Sequence, residues 1–148
     1  MPILFENASN FPCPETELTA LAAHTISYMK LDERVELSIL AVDEDEMERL
    51  HIEWMDEPGP TDVLSFPIDE LRAGQEYVEG KSTLGDVVLC PSVAQRQAEQ
   101  AGHAVTVELE ILLVHGILHL LGFDHAEPAE QVEMFALQSK IISDWKVA

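Results

Sequence analysis

Three of the six histidines in the sequence lie within eleven residues, at positions 115, 119 and 125. His115 and His119 are four residues apart, so in a helix their side chains share one face, about 5–6 Å apart at their Cβ atoms. Gly122 can adopt the positive φ that ends many helices, which would turn His125 back toward the other two. The spacing therefore predicts three imidazoles around one point.

Three neutral imidazoles with an open coordination position are the ligands of a catalytic zinc or a related divalent metal, which lowers the pKa of its bound water to ~7. The alternative is that these are hydrogen-bonded core histidines of an apolar helix. The helical spacing followed by a glycine turn favours a metal site. By affinity, three histidines suit zinc, nickel or copper alike, so the pattern leaves the ion open.

The same spacing, His-x3-His-x5-His with a glycine before the third histidine, is found in the metzincin proteases. Those enzymes carry their catalytic glutamate immediately after the first histidine, where this sequence has Gly116. The ligand spacing therefore transfers to this protein, whereas the proteolytic mechanism does not.

Five other residues near the histidines or in the predicted strands are candidates for the site. Asp124 is next to a ligand and could orient an imidazole or accept a proton, or it could simply form the turn. Asp86 follows a glycine in a strand, so it could face the cleft or be held by backbone groups. Thr61, Asp62 and Ser65 could line a substrate groove, although a Thr-Asp pair before a strand is also ordinary turn chemistry.

The elements that must position these residues follow from hydrophobic periodicity and from helix-capping and turn signals. The predicted strands are residues 3–5, 34–42, 61–67 and 84–90, with 61–67 at an edge because Pro67 closes it. The predicted helices are residues 15–30, 43–54, 91–101, 106–120 and a last one from Pro128. These elements predict a single α+β domain over residues 1–148, in which about five helices cover a small mixed sheet and the histidine helix is central.

Local sequence signals predict further details of these elements. Asp43 is predicted to cap the second helix, with Glu46 completing a capping box, and Thr106 to cap the histidine helix. Residues 68–82 lack periodicity and are expected to form a mobile surface loop. In the last helix, one apolar stripe is predicted to consist of Val132, Phe135, Ala136 and Ile142.

The composition restricts the function further. Eight Lys and Arg oppose 28 Asp and Glu, giving a net charge of −20. This balance argues against tight, non-specific binding of nucleic acid through counterion release and suits basic partners. Two cysteines without a CxxC motif, and no export signal, favour the reducing cytoplasm. The longest apolar run, residues 111–123, is too short to span a membrane.

The motif HGxxHLxGxDH at residues 115–125, the segment PTDVLSFP at 60–67 and LGD at 84–86 together resemble the YbeY family of bacterial endoribonucleases. The resemblance implies an α+β fold and one Zn²⁺ per chain, held by His115, His119 and His125. It also implies cleavage of single-stranded RNA, with a cytoplasmic role at the ribosomal small subunit. That role is maturation of the 3′ end of 16S ribosomal RNA and ribosome quality control.

One difference from the family bears on activity. Many members carry a Tyr-Arg pair shortly before the Pro-Thr segment, where this sequence has Trp54 and Met55. If that arginine binds the scissile phosphate, Arg72 or Lys81 on the predicted loop could replace it. Two other functions remain open. One is a metallohydrolase acting on peptides or amides. The other is a non-catalytic ribosome-assembly factor with a structural metal, binding a ribosomal protein or GTPase through its acidic surface.

Overall fold

The computed structural model describes residues 2–147, which form four strands and five helices as the sequence predicts. The strands are β1 (Ile3–Asn7), β2 (Glu36–Ala41), β3 (Val63–Pro67) and β4 (Thr83–Leu89). The helices are α1 (Glu15–Tyr28), α2 (Glu44–Met55), α3 (Pro91–Ala101), α4 (Val105–Leu120) and α5 (Pro128–Val147).

The four strands form one mixed sheet in the order β1-β2-β4-β3. β1, β2 and β4 run parallel, and β3 pairs antiparallel with β4 at the edge, as predicted. In that pairing Ser65 lies opposite Val87 and Phe66 lies opposite Asp86. Because successive side chains of a strand point to opposite faces, this register decides which residues of β3 and β4 can reach the histidines.

The two faces of the sheet are covered unequally. One face, including Leu37, Ile39 and Val87, belongs to the main core that also contains residues of α1, α4 and α5. The other face contributes Leu64 and Val88 to a smaller cluster together with Met47 of α2. The first face is therefore well covered, whereas α2 leaves part of the second face open to solvent.

Helix α4 is the centre of the main core. Nine of its 16 residues are buried, and it packs against α1, α3, α5, β3 and β4. A helix that is apolar on nearly every side must be surrounded by other elements. His115 and His119, which are only half-buried, lie on the side of α4 that faces the cleft described below.

Gly116 lies where α4 packs on the sheet without room for a side chain. A Cβ atom at this position would lie 2.8 Å from Cγ1 of Val87 and 3.2 Å from Oγ of Ser65. The Ser65 hydroxyl also donates a hydrogen bond of 2.9 Å to the Gly116 carbonyl. Gly116 therefore allows the helix backbone to lie directly on β3 and β4.

The predicted helix caps are only partly confirmed. Asp43 does precede α2, but its carboxylate accepts hydrogen bonds from the backbone and side chain of Asn10 instead of capping the helix. Glu46 pairs with Arg49, so the predicted capping box is wrong. Helix α4 begins at Val105 after Ala104, two residues earlier than a Thr106 cap would place it, so the predicted Thr106 cap is also wrong.

Of the predicted apolar stripe of α5, only Ile142 packs against the core, and the prediction is wrong for Val132, Phe135 and Ala136. The residues that α5 buries are Met134, Gln138 and Ile141, whereas Val132 is 70% exposed and Phe135 is 41% exposed. Hydrophobic periodicity did not predict the buried face of α5, because this helix lies over both the core and a polar cleft. Its buried face includes a glutamine, and one of its aromatic side chains is partly open to solvent.

Residues 68–82 contain no helix or strand, as predicted. The loop is nevertheless attached to the core, since Leu71 is 2% exposed and Gly74 N–H donates to the Met29 carbonyl. Within residues 2–147, no single helix has the length and hydropathy of a membrane span. The pair α3 and α4 meets those criteria only when taken together, across a bend of 114°.

We predict that Gly116→Ala lowers the free energy of unfolding by about 1–3 kcal/mol, the usual cost of overpacking a core. Urea unfolding measures this change. Because Val87 is the nearest obstacle, the double variant Gly116→Ala/Val87→Ala should cost less than the sum of the two single variants. Strict additivity would show that this contact does not limit the approach of α4.

Candidate metal centre

The local fold brings the three predicted histidines together. Helix α4 ends in a Schellman motif, in which the N–H of Gly122 bonds to the His119 carbonyl and the N–H of Phe123 to the Leu118 carbonyl. Gly122 has φ of 95°, which a residue with a side chain rarely adopts. The chain therefore reverses directly after the helix, and His125 returns to the side of His115 and His119.

The geometry of the three imidazoles suits one metal ion. One nitrogen from each ring lies within 4.8 Å of the others, and Nε2 of His115 and Nε2 of His119 are 3.1 Å apart. Two nitrogens bound to one tetrahedral zinc at about 2.0–2.1 Å would be about 3.3 Å apart. The helix thus already holds two of its ligands at close to the separation that a bound zinc requires.

Gln138 of α5 determines which nitrogen of His115 is available to a metal. The Nδ1–H of His115 donates a hydrogen bond of 3.0 Å to Oε1 of Gln138, whose side chain is buried. The proton is then on Nδ1, and the lone pair is on Nε2, which points toward His119. A hydrogen bond of this kind fixes the tautomer and the ring orientation of a metal ligand.

Burial keeps two of the ligands neutral. It lowers the pKa of His115, although the hydrogen bond with Gln138 acts in the opposite direction. It also lowers the pKa of His119, and the neighbouring imidazoles lower it further, because two positive charges so close repel each other. Both rings are therefore neutral imidazoles at neutral pH, and each has one nitrogen lone pair available to a metal.

The histidines line an open cleft of about 830 Å³ between α4, β3, α5 and the end of α2. Thr61 and Ser65, predicted to line a substrate groove, both face it. Each already has a hydrogen bond within the protein: Ser65 donates to Gly116, and Thr61 donates to Asp62 at 3.3 Å. The remaining lining residues are His51, Met55, Glu57, Asp62, Val63, Leu64, Pro67, Ile111, Leu112, Phe135 and Gln138.

Asp124 lies next to the cluster and has a definite local role. Its Oδ1 accepts a hydrogen bond of 2.7 Å from the backbone N–H of His125, which stabilises the turn. Its negative charge opposes the lowering of the His119 pKa, so the carboxylate acts on the cluster electrostatically. Among residues 2–147, the amide of Gln138, and not this carboxylate, makes the hydrogen bond to a ligand ring.

The structure places two predicted site residues away from the cluster. Val87 faces α4, so the preceding residue, Asp86, points to the opposite face of the sheet and lines a second groove with Ser38 and Trp54. Asp86 therefore does not face the cleft. Arg72 lies against the Gly122 turn and donates to the backbone of its own loop, so it is not part of the cleft lining either.

The cleft residues that were not predicted as site residues include His51, Phe135 and Gln138. Nδ1 of His51 lies 3.0 Å from the Gly59 carbonyl, and its ring connects α2 to the Pro-Gly-Pro segment. Phe135 lies beside the ligands, with its ring centroid 5.9 Å from that of His115 and 6.2 Å from that of His125. The sequence around His51, Phe135 and Gln138 does not indicate a role in the site, because each residue reaches the cleft through tertiary packing of α2 or α5.

One known protein family matches nearly the whole chain. The family model described as "Endoribonuclease YbeY" matches residues 5–146. The chain belongs to the YbeY endoribonuclease family. The resemblance drawn from the three sequence motifs is thus confirmed.

Relatives named "Endoribonuclease YbeY" match over nearly their whole length. The Leifsonia xyli subsp. xyli protein is 57% identical over 143 residues, which cover 96% of this chain and 94% of that protein. The Thermobifida fusca protein is 51% identical over 147 residues, covering 99% and 95%. A solution structure of a Thermotoga maritima protein superimposes with a TM-score of 0.66 at 25% identity, covering 97% and 88%. These matches confirm the α+β fold of the YbeY family.

We predict that Gln138→Leu weakens metal binding by about 10- to 100-fold, because His115 loses the partner that fixes its tautomer. Competition with a chromophoric zinc chelator measures the affinity. Gln138→Glu keeps an acceptor and should retain most of the affinity, and Gln131→Leu changes the same residue type at an exposed position of α5. Equal affinities for Gln138→Leu and Gln131→Leu would exclude the orienting role.

Proposed function

We propose that the chain is a zinc-dependent endoribonuclease that cleaves single-stranded RNA in the cleft above the three histidines. The proposal places one Zn²⁺ per chain on His115, His119 and His125. The observation that carries it is the convergence of three imidazole nitrogens at the base of an open cleft. A closed structural zinc site would have a fourth protein ligand, usually a cysteine, and both cysteines of this chain lie outside the cleft.

Two residues next to the ligands, Gln138 and Asp124, would support the chemistry of the ion. When bound, zinc supplies Lewis-acid chemistry, polarising a phosphoryl oxygen and activating a water or the adjacent ribose hydroxyl. Gln138 keeps the Nδ1 proton of His115 in place, which fixes the ring throughout the reaction. Asp124 is the nearest exposed carboxylate to the ligands in sequence. Its Oδ1 accepts the His125 N–H, but the carboxylate lines a separate groove beside Arg72 and Gly122, so it would act on the ligands through the turn and through its charge.

The structure weakens the case for a peptidase with the same ligands. Such an enzyme would need a glutamate at Gly116, but a Cβ atom there would clash with Val87 at 2.8 Å and lie 3.2 Å from Oγ of Ser65. A carboxylate side chain would point into the sheet and away from the cleft. A hydrolase of peptides or amides would thus require a general base from another element.

For the biological role we propose maturation of the 3′ end of 16S ribosomal RNA and ribosome quality control, at the small subunit in the cytoplasm. Support comes from membership of the YbeY family. We also propose that a ribosomal protein or GTPase binds the acidic surface. The second groove, about 960 Å³ in volume, has an apolar floor and three carboxylates, those of Glu6, Glu46 and Asp86. That combination suits a basic protein segment.

We predict that His115→Ala and His119→Ala each lose bound zinc and lower the cleavage of single-stranded RNA by about 100-fold or more. Elemental analysis and cleavage of a defined RNA are measured on the same preparations. His103→Ala is the matched control, because His103 pairs with Glu108 outside the cleft and should leave both values unchanged. Cleavage at the wild-type rate by a metal-free variant would refute the mechanism.

The same variants separate catalysis from assembly. If His115→Ala folds normally but still supports ribosome assembly in cells, the metal chemistry is dispensable and the chain acts as a binding factor. Turnover of peptides, but not of RNA, by the zinc-loaded protein would instead indicate a peptide or amide hydrolase.

We predict that Met55→Arg raises kcat/KM for RNA by about tenfold, since a charge-assisted hydrogen bond to phosphate contributes ~1.5 kcal/mol. Met55 is 45% exposed at the end of α2 and lines the cleft. Ile52→Arg adds the same charge one turn earlier on α2, outside the cleft lining, and controls for the change in net charge. Equal rates for the two arginine variants would show that the cleft position of the charge has no effect.

A further inference from the structure

The cleft that holds the ligand cluster contains no lysine or arginine among its described lining residues. It contains two acidic residues, Glu57 and Asp62. This is unusual for a protein that acts on a polyanion, because most nucleic-acid-binding sites gain affinity by neutralising several phosphates with cations. The metal ion alone can offset only the charge beside it.

The cations of the chain are largely occupied elsewhere. Within the described residues, Arg34, Arg49 and Arg96 form salt bridges with Asp32, with Glu46 and Glu53, and with Glu44, respectively. Lys146 pairs with Glu110, and Arg72 donates to carbonyls of its own loop. Neutralisation of phosphates by side chains is thus a minor source of affinity for RNA in this cleft.

Apolar side chains with exposed surface are available in the same cleft. Phe135 is 41% exposed, and its ring lies within about 6 Å of the His115 and His125 rings, measured between centroids. Met55 is 45% exposed and reaches the cleft from α2. An aromatic ring with a solvent-open surface beside a metal site can stack on a base attached to the metal-bound phosphate group.

We propose that RNA is held in this cleft mainly through its bases, which stack on Phe135 among the apolar side chains of the cleft, and only to a small extent through its phosphates. The inference rests on the proposed ribonuclease function and names how that site selects its substrate. Bases in a duplex are already stacked on each other and cannot reach these side chains. The cleft therefore accepts single strands, whose bases are free to leave the stack.

The first test measures binding of the zinc-loaded wild-type protein to a fluorescent single-stranded 2′-O-methyl oligonucleotide, which resists cleavage. An otherwise identical oligonucleotide with abasic positions at its centre is the comparison. One stacked base contributes ~1–3 kcal/mol, so the abasic strand should bind about 5- to 150-fold more weakly. A loss of less than fivefold would overturn the proposal.

The salt dependence of the same binding equilibrium measures the number of phosphate contacts independently. For single strands, the slope of log K against log salt is about −0.7 per phosphate contact. We expect a slope of about −1.4 or shallower, corresponding to at most two contacts, and a steeper slope would contradict the proposal. Met55→Arg calibrates the experiment, because one added phosphate contact should steepen the slope by about 0.7.

Substitutions then test whether Phe135 is the side chain on which the bases stack. Phe135→Leu keeps an apolar side chain but removes the ring, and we expect it to weaken binding of the intact strand at least fivefold. Phe135→Tyr should restore binding, and Val132→Ala, at an exposed position of α5 outside the cleft, should have no effect. Zinc content is measured for each variant. The abasic comparison uses the unaltered protein, so it decides the question even if Phe135→Leu disturbs the metal.

Base recognition and the ribonuclease function are tested by separate outcomes. If the wild-type protein cleaves single-stranded RNA but binds the abasic strand as tightly as the intact one, the ribonuclease assignment stands and base recognition is wrong. If the zinc-loaded wild-type protein cleaves no RNA, the proposed function itself fails.

Discussion

The contact of helix α4 with strands β3 and β4 is the constraint on which the rest of the structure depends. Gly116 removes the side chain that would hold the helix away from Val87, and Ser65 donates a hydrogen bond to the Gly116 carbonyl. This contact sets the rotation of α4 about its own axis. His115 and His119 consequently point along the side of β3 into the cleft, and the Gly122 turn completes the cluster with His125. A residue that a protease would use for chemistry serves here for packing.

Helix α5 completes the site from the other side. It places Gln138 against Nδ1 of His115 and Phe135 beside the ligand rings, while Met134 and Ile141 anchor it in the core. Burying an amide would be unfavourable without a partner, and the imidazole N–H provides that partner. The same hydrogen bond therefore stabilises the packing of α5 and prepares a ligand for the metal. Stability and function are coupled at this helix.

The sequence predicts those features that depend on local spacing. The i and i+4 histidines, the helix-ending glycine and the number of strands and helices all follow from neighbouring residues. Features that depend on tertiary packing were missed or wrong. The orientation of Asp86 depends on which strand face meets α4, and Gln138 is 23 residues from the histidine it orients. The buried stripe of α5 was mostly wrong because part of that helix covers a polar cleft, where burial does not follow hydrophobicity.

A strongly acidic chain and a polyanionic substrate can be reconciled by the distribution of charge. The net charge of −20 repels RNA at long range, but salt screens that field over about 8–10 Å in physiological conditions. At short range, burial keeps two of the ligands at the base of the cleft, His115 and His119, as neutral imidazoles, and a divalent ion beside them would make that point positive. Binding would then depend on contacts formed at the site itself. Such an enzyme would discriminate against nucleic acid that offers only phosphates, because the protein surface contributes no general attraction.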